Sequence, residues 1–235
     1  MARTQLLSHS HSQEELSNRL MSLSYLGQDD QYVIGLTYPQ SLFTGGGAVW
    51  RSSSYGSAGT WTDLSSAFED ALVALQGGEK GNVVFTGISN FQASEAMPAK
   101  IFFQGVGNFN WMTDDYGKTL KALKGPPGGI NADAKFKLHP KVSDWMLAVV
   151  PRHACLYGYD SELCVKDLSV SYDFGQNWKN LTQASHGRIK AFWDAAWAAD
   201  VHGDRNDHDY VKESIVATVY EDVKHLHGIS EWDDT

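Results

Sequence analysis

A short motif recurs three times along the chain at a nearly constant spacing, and this repeat constrains the fold more than any other feature. The motif reads Ser/Thr-x-Asp-x-Gly-x-Thr-Trp, and its copies occupy residues 52–61, 113–120 and 171–178. The first residues of successive copies are 61 and 58 positions apart. A repeat of this length, punctuated by Gly and aromatic residues, is typical of four-stranded blades arranged around a ring.

The three copies, which we call Asp boxes, match the pattern to different degrees. The third box is the most complete and contains Ser171, Asp173, Gly175, Asn177 and Trp178. The second box contains Thr113, Asp115, Gly117 and Thr119. In the first box, Ser54 replaces the acidic residue, and two residues are inserted before Thr60 and Trp61.

The residue types of the Asp box suit a tight turn between two strands. An Asp carboxylate can accept hydrogen bonds from the amides of its own turn, Gly tolerates a positive φ, and an aromatic ring can pack back onto the sheet. We therefore interpret Asp115 and Asp173 as structural residues rather than as general bases or metal ligands. We predict no catalytic residue, no metal site and no cofactor.

Short β-branched and aromatic runs between the boxes predict strands, which gives an all-β fold. We predict strands at residues 20–26, 31–37, 82–86, 145–150 and 214–220, and a long insertion at residues 89–98. A possible capping box at residues 12–15 allows a short helix only before the first strand. Trp193 and Trp197 are interpreted as core residues, on one side of a helical turn or on one face of a strand.

The repeat predicts an incomplete β-propeller of three to four blades over residues 20–235, preceded by a polar tail at residues 1–19. A fourth box would begin near Ser230, where the sequence ends. Because a propeller protects its edges by closing the ring, we expect these blades to belong to a larger assembly. We expect no secretory signal in the first residues and no apolar run long enough to span a membrane.

The acidic balance of the chain excludes one class of partner. The sequence has 19 basic and 28 acidic side chains, which gives a formal net charge of −9. A protein that binds a phosphate backbone needs a basic surplus to displace counterions. We therefore predict that nucleic acid is not a partner.

The ordered combination of motifs resembles the sortilin and vacuolar protein sorting receptor family. The resemblance is carried by the run Leu138-His-Pro-Lys-Val-Ser-Asp-Trp-Met-Leu-Ala148, by Cys155 and Cys164, and by the third box. It covers most of residues 20–235, including a box of the Arg-Ser-x-x-Tyr-Gly type that begins at Arg51.

The resemblance implies that the chain is the opening part of a ten-bladed propeller in the lumen of the Golgi and endosomes. Such a receptor binds protein or peptide cargo and sorts it to the vacuole, the lysosome or the cell surface. Its known ligand contacts lie on later blades, so the resemblance assigns no ligand-binding residue here. It also implies that a membrane anchor and cytoplasmic sorting signals would lie outside this sequence.

Two modifications depend on such a location. The short loop between Cys155 and Cys164 favours a disulfide over two buried thiols, which a reducing compartment would preserve. Asn180-Leu-Thr182 is a sequon for N-glycosylation, so Asn180 is a candidate acceptor.

The residue pattern alone leaves open two functions other than that of a receptor fragment. One is an Asp-box glycosidase of the sialidase type, which needs a cluster of Arg side chains that the six Arg of this chain do not suggest. The other is a stand-alone partial propeller that associates through its open blade edges. The polar cluster at residues 202–209, His9 with His11, and His225 with His227 lack the spacing of a metal site and are interpreted as solvated segments.

Overall fold

The computed structural model describes residues 20–27, 31–39, 45–79, 83–156, 158–161, 163–198 and 214–220. The chain divides into two compact units, Met1–Leu123 and Lys124–Thr235. The polar tail predicted at residues 1–19, with its possible helix, lies outside the described residues, as do the His clusters and the position of a fourth box.

The first unit contains two four-stranded antiparallel sheets, each built from strands in consecutive order. The first sheet comprises β1 (Leu20–Leu26), β2 (Tyr32–Thr37), β3 (Val49–Ser52) and β4 (Trp61–Asp63). The second comprises β5 (Ile88–Ala93), β6 (Ile101–Gly105), β7 (Phe109–Thr113) and β8 (Lys121–Lys124). In both sheets an Asp box connects the third strand to the fourth. This up-and-down order is that of a propeller blade.

Helix α1 (Ser65–Gln76), which the sequence analysis did not predict, lies between these two blades in the chain and supplies part of their core. The helix ends at Gly77, whose left-handed backbone (φ 67°) directs its amide to the Val73 carbonyl. Phe68 is fully buried and meets Phe103 and Trp111 edge to face. The Trp111 indole also donates a hydrogen bond of 3.0 Å to the Phe68 carbonyl.

The prediction around residues 82–98 is wrong at two points. Residues 83–87 form no strand, although Val83 and Phe85 pack into the core of the first unit. The predicted insertion instead contains strand β5. The physical reason is a close backbone crossing at Gly46 and Gly87, where neither position has room for a Cβ atom. Because of this crossing, the strand begins only at Ile88.

The second unit contains one six-stranded sheet, which consists of a third blade and a following hairpin that a single residue pair joins to it. The blade comprises β9 (Lys135–Leu138), β10 (Met146–Pro151), β11 (Lys166–Ser171) and β12 (Lys179–Asn180), and the hairpin comprises β13 (Ala191–Trp197) and β14 (Ile215–Tyr220). A 3-10 helix (Asn131–Asp133) precedes the blade, and helix α2 (Leu181–Ala184) follows it. The third Asp box again connects the third strand to the fourth.

Strand β13 covers one face of the third blade. It pairs with β11 only at Phe192, opposite Lys166, and it then packs across the blade. At its far end, the Trp197 indole donates a 3.3 Å hydrogen bond to the Lys137 carbonyl. Trp197 is buried, and Trp193 is half-buried on the same strand.

The fold class is therefore all-β, and the described residues form an incomplete β-propeller of three blades and one hairpin. The predicted strand at residues 20–26 is confirmed as β1, and those at 31–37, 145–150 and 214–220 are confirmed within one residue as β2, β10 and β14.

His139 organises the corner between β9 and β10. Its side chain is fully buried, and its Nδ1 atom accepts hydrogen bonds of 3.0 Å from the amides of both Lys141 and Val142. Its ring lies edge to face against Trp145 and Trp197. One imidazole therefore closes the turn before β10 and packs against β13.

Replacing His139 by Ala should lower the free energy of unfolding by about 3 kcal/mol, because it leaves two turn amides without an acceptor and opens a cavity beside two Trp rings. Urea unfolding monitored by Trp fluorescence measures this loss. His153→Ala, at an exposed position, is the matched control and should change the free energy of unfolding by less than about 0.5 kcal/mol. Equal effects of the two substitutions would contradict this role for His139.

Candidate functional site

The first hydroxyl of each complete Asp box is the centre of its turn. Thr113 Oγ1 donates to Asp115 Oδ1 at 2.7 Å and accepts from the amides of Asp115 and Gly117 at 3.3 and 3.0 Å. Ser171 repeats these contacts, donating to Asp173 at 2.9 Å and accepting from the Asp173 and Gly175 amides at 3.4 and 2.7 Å. The two boxes thus have the same hydrogen-bonded core.

The carboxylates of these boxes are held by the second half of their own turns. Asp115 accepts from the Lys118 and Thr119 amides, both at 2.9 Å, and from the Thr119 hydroxyl at 2.7 Å. Asp173 accepts from the Asn177 amide at 2.8 Å and from its side-chain amide at 2.6 Å. Each carboxylate therefore joins the two halves of its turn.

Burial alone raises the pKa of Asp115 and Asp173, but these hydrogen bonds outweigh it and hold the pKa of both carboxyl groups below its usual value. A carboxyl group in this condition stays ionised at neutral pH. It is poorly suited to act as a general acid, which needs a raised pKa.

The first box replaces the missing carboxylate with a direct contact between two hydroxyl groups. Ser52 Oγ and Thr60 Oγ1 are 2.6 Å apart, and Ser52 Oγ also accepts from the amides of Ser54 and Gly56. The Trp61 indole donates to the Gly56 carbonyl at 3.1 Å. Because Thr60 meets Ser52 directly, this turn closes without an Asp.

An aromatic residue with a left-handed backbone precedes the Gly of every box, a feature that we did not predict from the sequence. These residues are Tyr55, Tyr116 and Phe174, with φ of 56°, 60° and 58°. A left-handed bulky residue is uncommon and costs about 1 kcal/mol or more. In each box the amide of this residue donates to a carbonyl just before the second strand of the same blade, namely that of Gln31, Ala99 and Asp144 respectively. The recurring aromatic-Gly pair was the signal available in the sequence.

Within the first unit, the second box also docks onto the first blade. The Tyr116 ring stacks on Tyr32 with centroids 4.2 Å apart, and Arg51 Nε donates to the Tyr116 carbonyl at 2.7 Å. The Arg51 guanidinium lies 5.5 Å from the centre of the Tyr32 ring. Arg51 therefore joins two blades. Tyr55, the equivalent residue of the first box, is 57% exposed.

A disulfide joins Cys155 and Cys164, as predicted, and closes the loop between β10 and β11. Tyr159 connects this loop to the blade, because its hydroxyl donates to the Val149 carbonyl at 3.1 Å. Trp178 of the third box lies beside Phe136, with ring centroids 5.9 Å apart.

Asn180, the predicted glycosylation acceptor, has structural partners at both ends of its side-chain amide. Asn180 is only 8% exposed, and its Oδ1 atom caps helix α2 by accepting from the Gln183 amide at 3.0 Å. Its Nδ2 atom, where a glycan would be attached, donates to the buried Asp167 at 3.4 Å. The sequon therefore lies where the fold uses both ends of the side-chain amide.

Two other kinds of site are absent from the part of the chain that the structure describes. Within those residues, no group of three or more His, Cys, Asp or Glu side chains is arranged to hold a metal ion. Nor does any helix there have the length and apolar character needed to cross a membrane.

The geometry defines the class of protein as an incomplete β-propeller. Residues 47–228 match the Sortilin-Vps10 family, described as sortilin, neurotensin receptor 3. This match covers more than half of the chain, and the chain belongs to the Sortilin-Vps10 family. Membership implies a lumenal or extracellular location. No curated protein matches this sequence significantly.

Solved structures with a similar arrangement include an ancestral GH74 enzyme, with 10% identity and a TM-score of 0.45 over 71% of this chain. Another is the GH74 xyloglucanase from Xanthomonas campestris, with 13% identity and a TM-score of 0.38 over 68% of this chain. A third is YCF48 from Cyanidioschyzon merolae, with 17% identity and a TM-score of 0.39 over 69% of this chain. The chain spans 20%, 23% and 39% of the lengths of these three proteins.

Replacing Asp115 or Asp173 by Ala should each lower the free energy of unfolding at neutral pH by about 1 to 2 kcal/mol, because turn amides lose a charged acceptor. Since the pKa of each carboxyl group is lower in the folded chain, the stabilisation is present above the unfolded pKa near 3.9 and disappears as the pH falls through the folded value. The difference between wild type and variant should therefore shrink in acid. Urea unfolding at several pH values measures it.

The exposed neighbour Asp114 provides the control for this experiment. Asp114→Ala should change the free energy of unfolding by less than about 0.5 kcal/mol at any of these pH values. Losses that are equal at positions 114 and 115, or that grow in acid, would contradict the hydrogen-bonding role of the box carboxylates.

Asn180 should carry no glycan when the chain is expressed through the secretory pathway, and intact mass spectrometry checks this. Asn180→Ala should lower the free energy of unfolding by about 1 to 2 kcal/mol, because the helix loses its cap and Asp167 loses a donor. Asn180→Ser, which keeps a capping oxygen, should lose less. A quantitatively glycosylated, folded protein would overturn this interpretation.

Proposed function

We propose that the chain forms blades of a lumenal propeller that binds protein or peptide cargo in a sorting receptor acting between the Golgi and the endosome or vacuole. The observation that carries the proposal is membership of the Sortilin-Vps10 family over residues 47–228, together with three blades in which Asp boxes occupy equivalent turns. Propellers of this kind offer large, rigid surfaces on which loops can recognise other proteins.

We also infer that the chain binds rather than catalyses. Asp115 and Asp173 are held by their own turns, and Arg51 joins two blades of the first unit. In the second unit, Arg152 pairs with Asp167 at 2.9 Å and donates to the Lys190 carbonyl at 2.6 Å. An arginine cluster for a carboxylate substrate needs several such side chains directed at one place, whereas these have structural partners.

Association through open blade edges is a second proposal, favoured by apolar side chains that lie exposed on the outermost elements. Tyr55 is exposed although its counterpart Tyr116 is seated on a neighbouring blade. At the other end of the described residues, Val216 and Val219 of β14 are 47% and 38% exposed. Apolar strand surfaces of this kind pair readily with further β structure.

Disrupting the gene for this protein in the organism that encodes it tests the sorting role. We expect soluble vacuolar or lysosomal hydrolases to appear in the medium, because their receptor is missing. The full-length wild-type gene should restore their retention. A version carrying Asp115→Ala and Asp173→Ala should restore it less well, whereas Asp114→Ala should restore it fully, since Asp114 lies outside the box network.

Two results would contradict the proposal. Unchanged retention of the soluble hydrolases after gene disruption would remove the sorting role. Turnover of a fluorogenic sialoside by the purified protein, abolished by Arg51→Ala, would replace binding with glycosidase activity. Neither result bears on the structural roles of the boxes.

A further inference from the structure

Lys166 is a fully buried cation in the second unit with an unusual set of partners. Lys166 is the first residue of β11, and its Nζ atom donates a hydrogen bond to the Tyr159 carbonyl at 2.7 Å. The ammonium group also lies 4.2 Å from the centre of the Tyr159 ring and 4.6 Å from that of Trp193. A carbonyl and two aromatic faces thus stabilise the charge.

Tyr159 covers this cation from the side of the disulfide loop. Its ring faces a second ammonium group, that of Lys135, at 3.7 Å, and Lys135 in turn pairs with Asp160 at 3.3 Å. Burial and then the charge of Lys135 lower the pKa of Lys166 below its usual value. The position of one loop residue therefore decides how well the Lys166 cation is stabilised.

The Cys155–Cys164 disulfide closes the loop that carries Tyr159. Inside the loop, the Gly158 amide donates to the Cys155 carbonyl and the Cys164 amide to that of Ser161. Cys164 is buried, whereas Cys155 is half-buried, so a reductant can approach the bond from the Cys155 side. Closing a ring of about ten residues restricts the loop and favours the conformation in which Tyr159 is docked.

The strands on either side of the loop are paired independently of the disulfide. The β10–β11 ladder runs from Met146, opposite Ser171, to Pro151, opposite Lys166. Beyond it, the Arg152 amide donates to the Val165 carbonyl, and the Arg152 side chain pairs with Asp167. Loss of the disulfide can therefore release the loop while the blade stays folded.

We propose that the Cys155–Cys164 disulfide controls access to Lys166, so that the chain carries a lysine amine that is concealed when the loop is oxidised and exposed when it is reduced. A dithiol reductant transfers two electrons and two protons to the bond, which gives two cysteine thiols and the oxidised cyclic disulfide of the reductant. Tyr159 then leaves the Lys166 ammonium group, which loses a hydrogen bond and one aromatic face and becomes open to solvent.

Amine labelling of the folded protein tests this proposal. The oxidised and dithiothreitol-reduced proteins are treated briefly with an N-hydroxysuccinimide ester, and the extent of acylation at Lys166 is measured by peptide mass spectrometry. We expect reduction to raise the labelling rate of Lys166 by between tenfold and a hundredfold, the upper value being the loop-closure effect of a ring of about ten residues. Lys121, which is exposed and lies in the first unit, should not change.

A second variant separates release of Tyr159 from other effects of reduction. Tyr159→Ala, with the disulfide intact, should expose Lys166 to labelling to a similar degree. Tyr159→Phe keeps the ring over Lys166 and loses only the hydrogen bond to the Val149 carbonyl, so its labelling should be well below that of Tyr159→Ala. Hydrogen exchange of the β10 amides, measured on the same samples, should stay slow if only the loop opens.

Three results would overturn the proposal. The first is equal labelling of Lys166 in the oxidised and reduced proteins. The second is no increase in Tyr159→Ala. The third is fast exchange of the β10 amides after reduction, which would mean that the whole unit unfolds rather than the loop alone.

Discussion

The hydroxyl-centred turn between the third and fourth strands is the constraint on which each blade depends. In each box one hydroxyl oxygen accepts hydrogen bonds from two backbone amides, which would otherwise lack a partner in a tight, left-handed turn. These oxygens belong to Ser52, Thr113 and Ser171. That turn fixes where the fourth strand begins. It also aims a backbone amide at the start of the second strand, so that one turn connects three strands of its blade.

The same turn takes part in packing one blade against the next. In the first unit, Tyr116 extends from the second box onto Tyr32 of the first blade, where Arg51 holds its carbonyl. The strained backbone of Tyr116 is thus offset by a stacked ring and a charge-assisted hydrogen bond. In the second unit, β13 covers the third blade with Phe192 and Trp197 instead. Turn geometry and blade packing are therefore linked through single residues.

The sequence allowed the blades to be predicted because their signals are local. Periodic boxes and β-branched runs placed β1, β2, β10 and β14 within one residue, and the cysteine spacing identified the disulfide. Features that depend on contacts between distant residues were missed. The Gly46 to Gly87 crossing displaces a strand, and the Asp167 carboxylate accepts a hydrogen bond from the Nδ2 atom of Asn180 within the sequon. Neither interaction leaves a mark within a short sequence window.

The central claim is that the acidic residues of the boxes are structural groups bound by their own turns. NMR titration of the side-chain carboxyl carbons of Asp115 and Asp173 tests it most directly. Both carboxyl groups should titrate below the ordinary value of about 3.9, because their turn amides hold the pKa down. A value well above 3.9 for either box residue would contradict the claim, because it would mark a carboxyl group released from its turn amides and able to donate a proton.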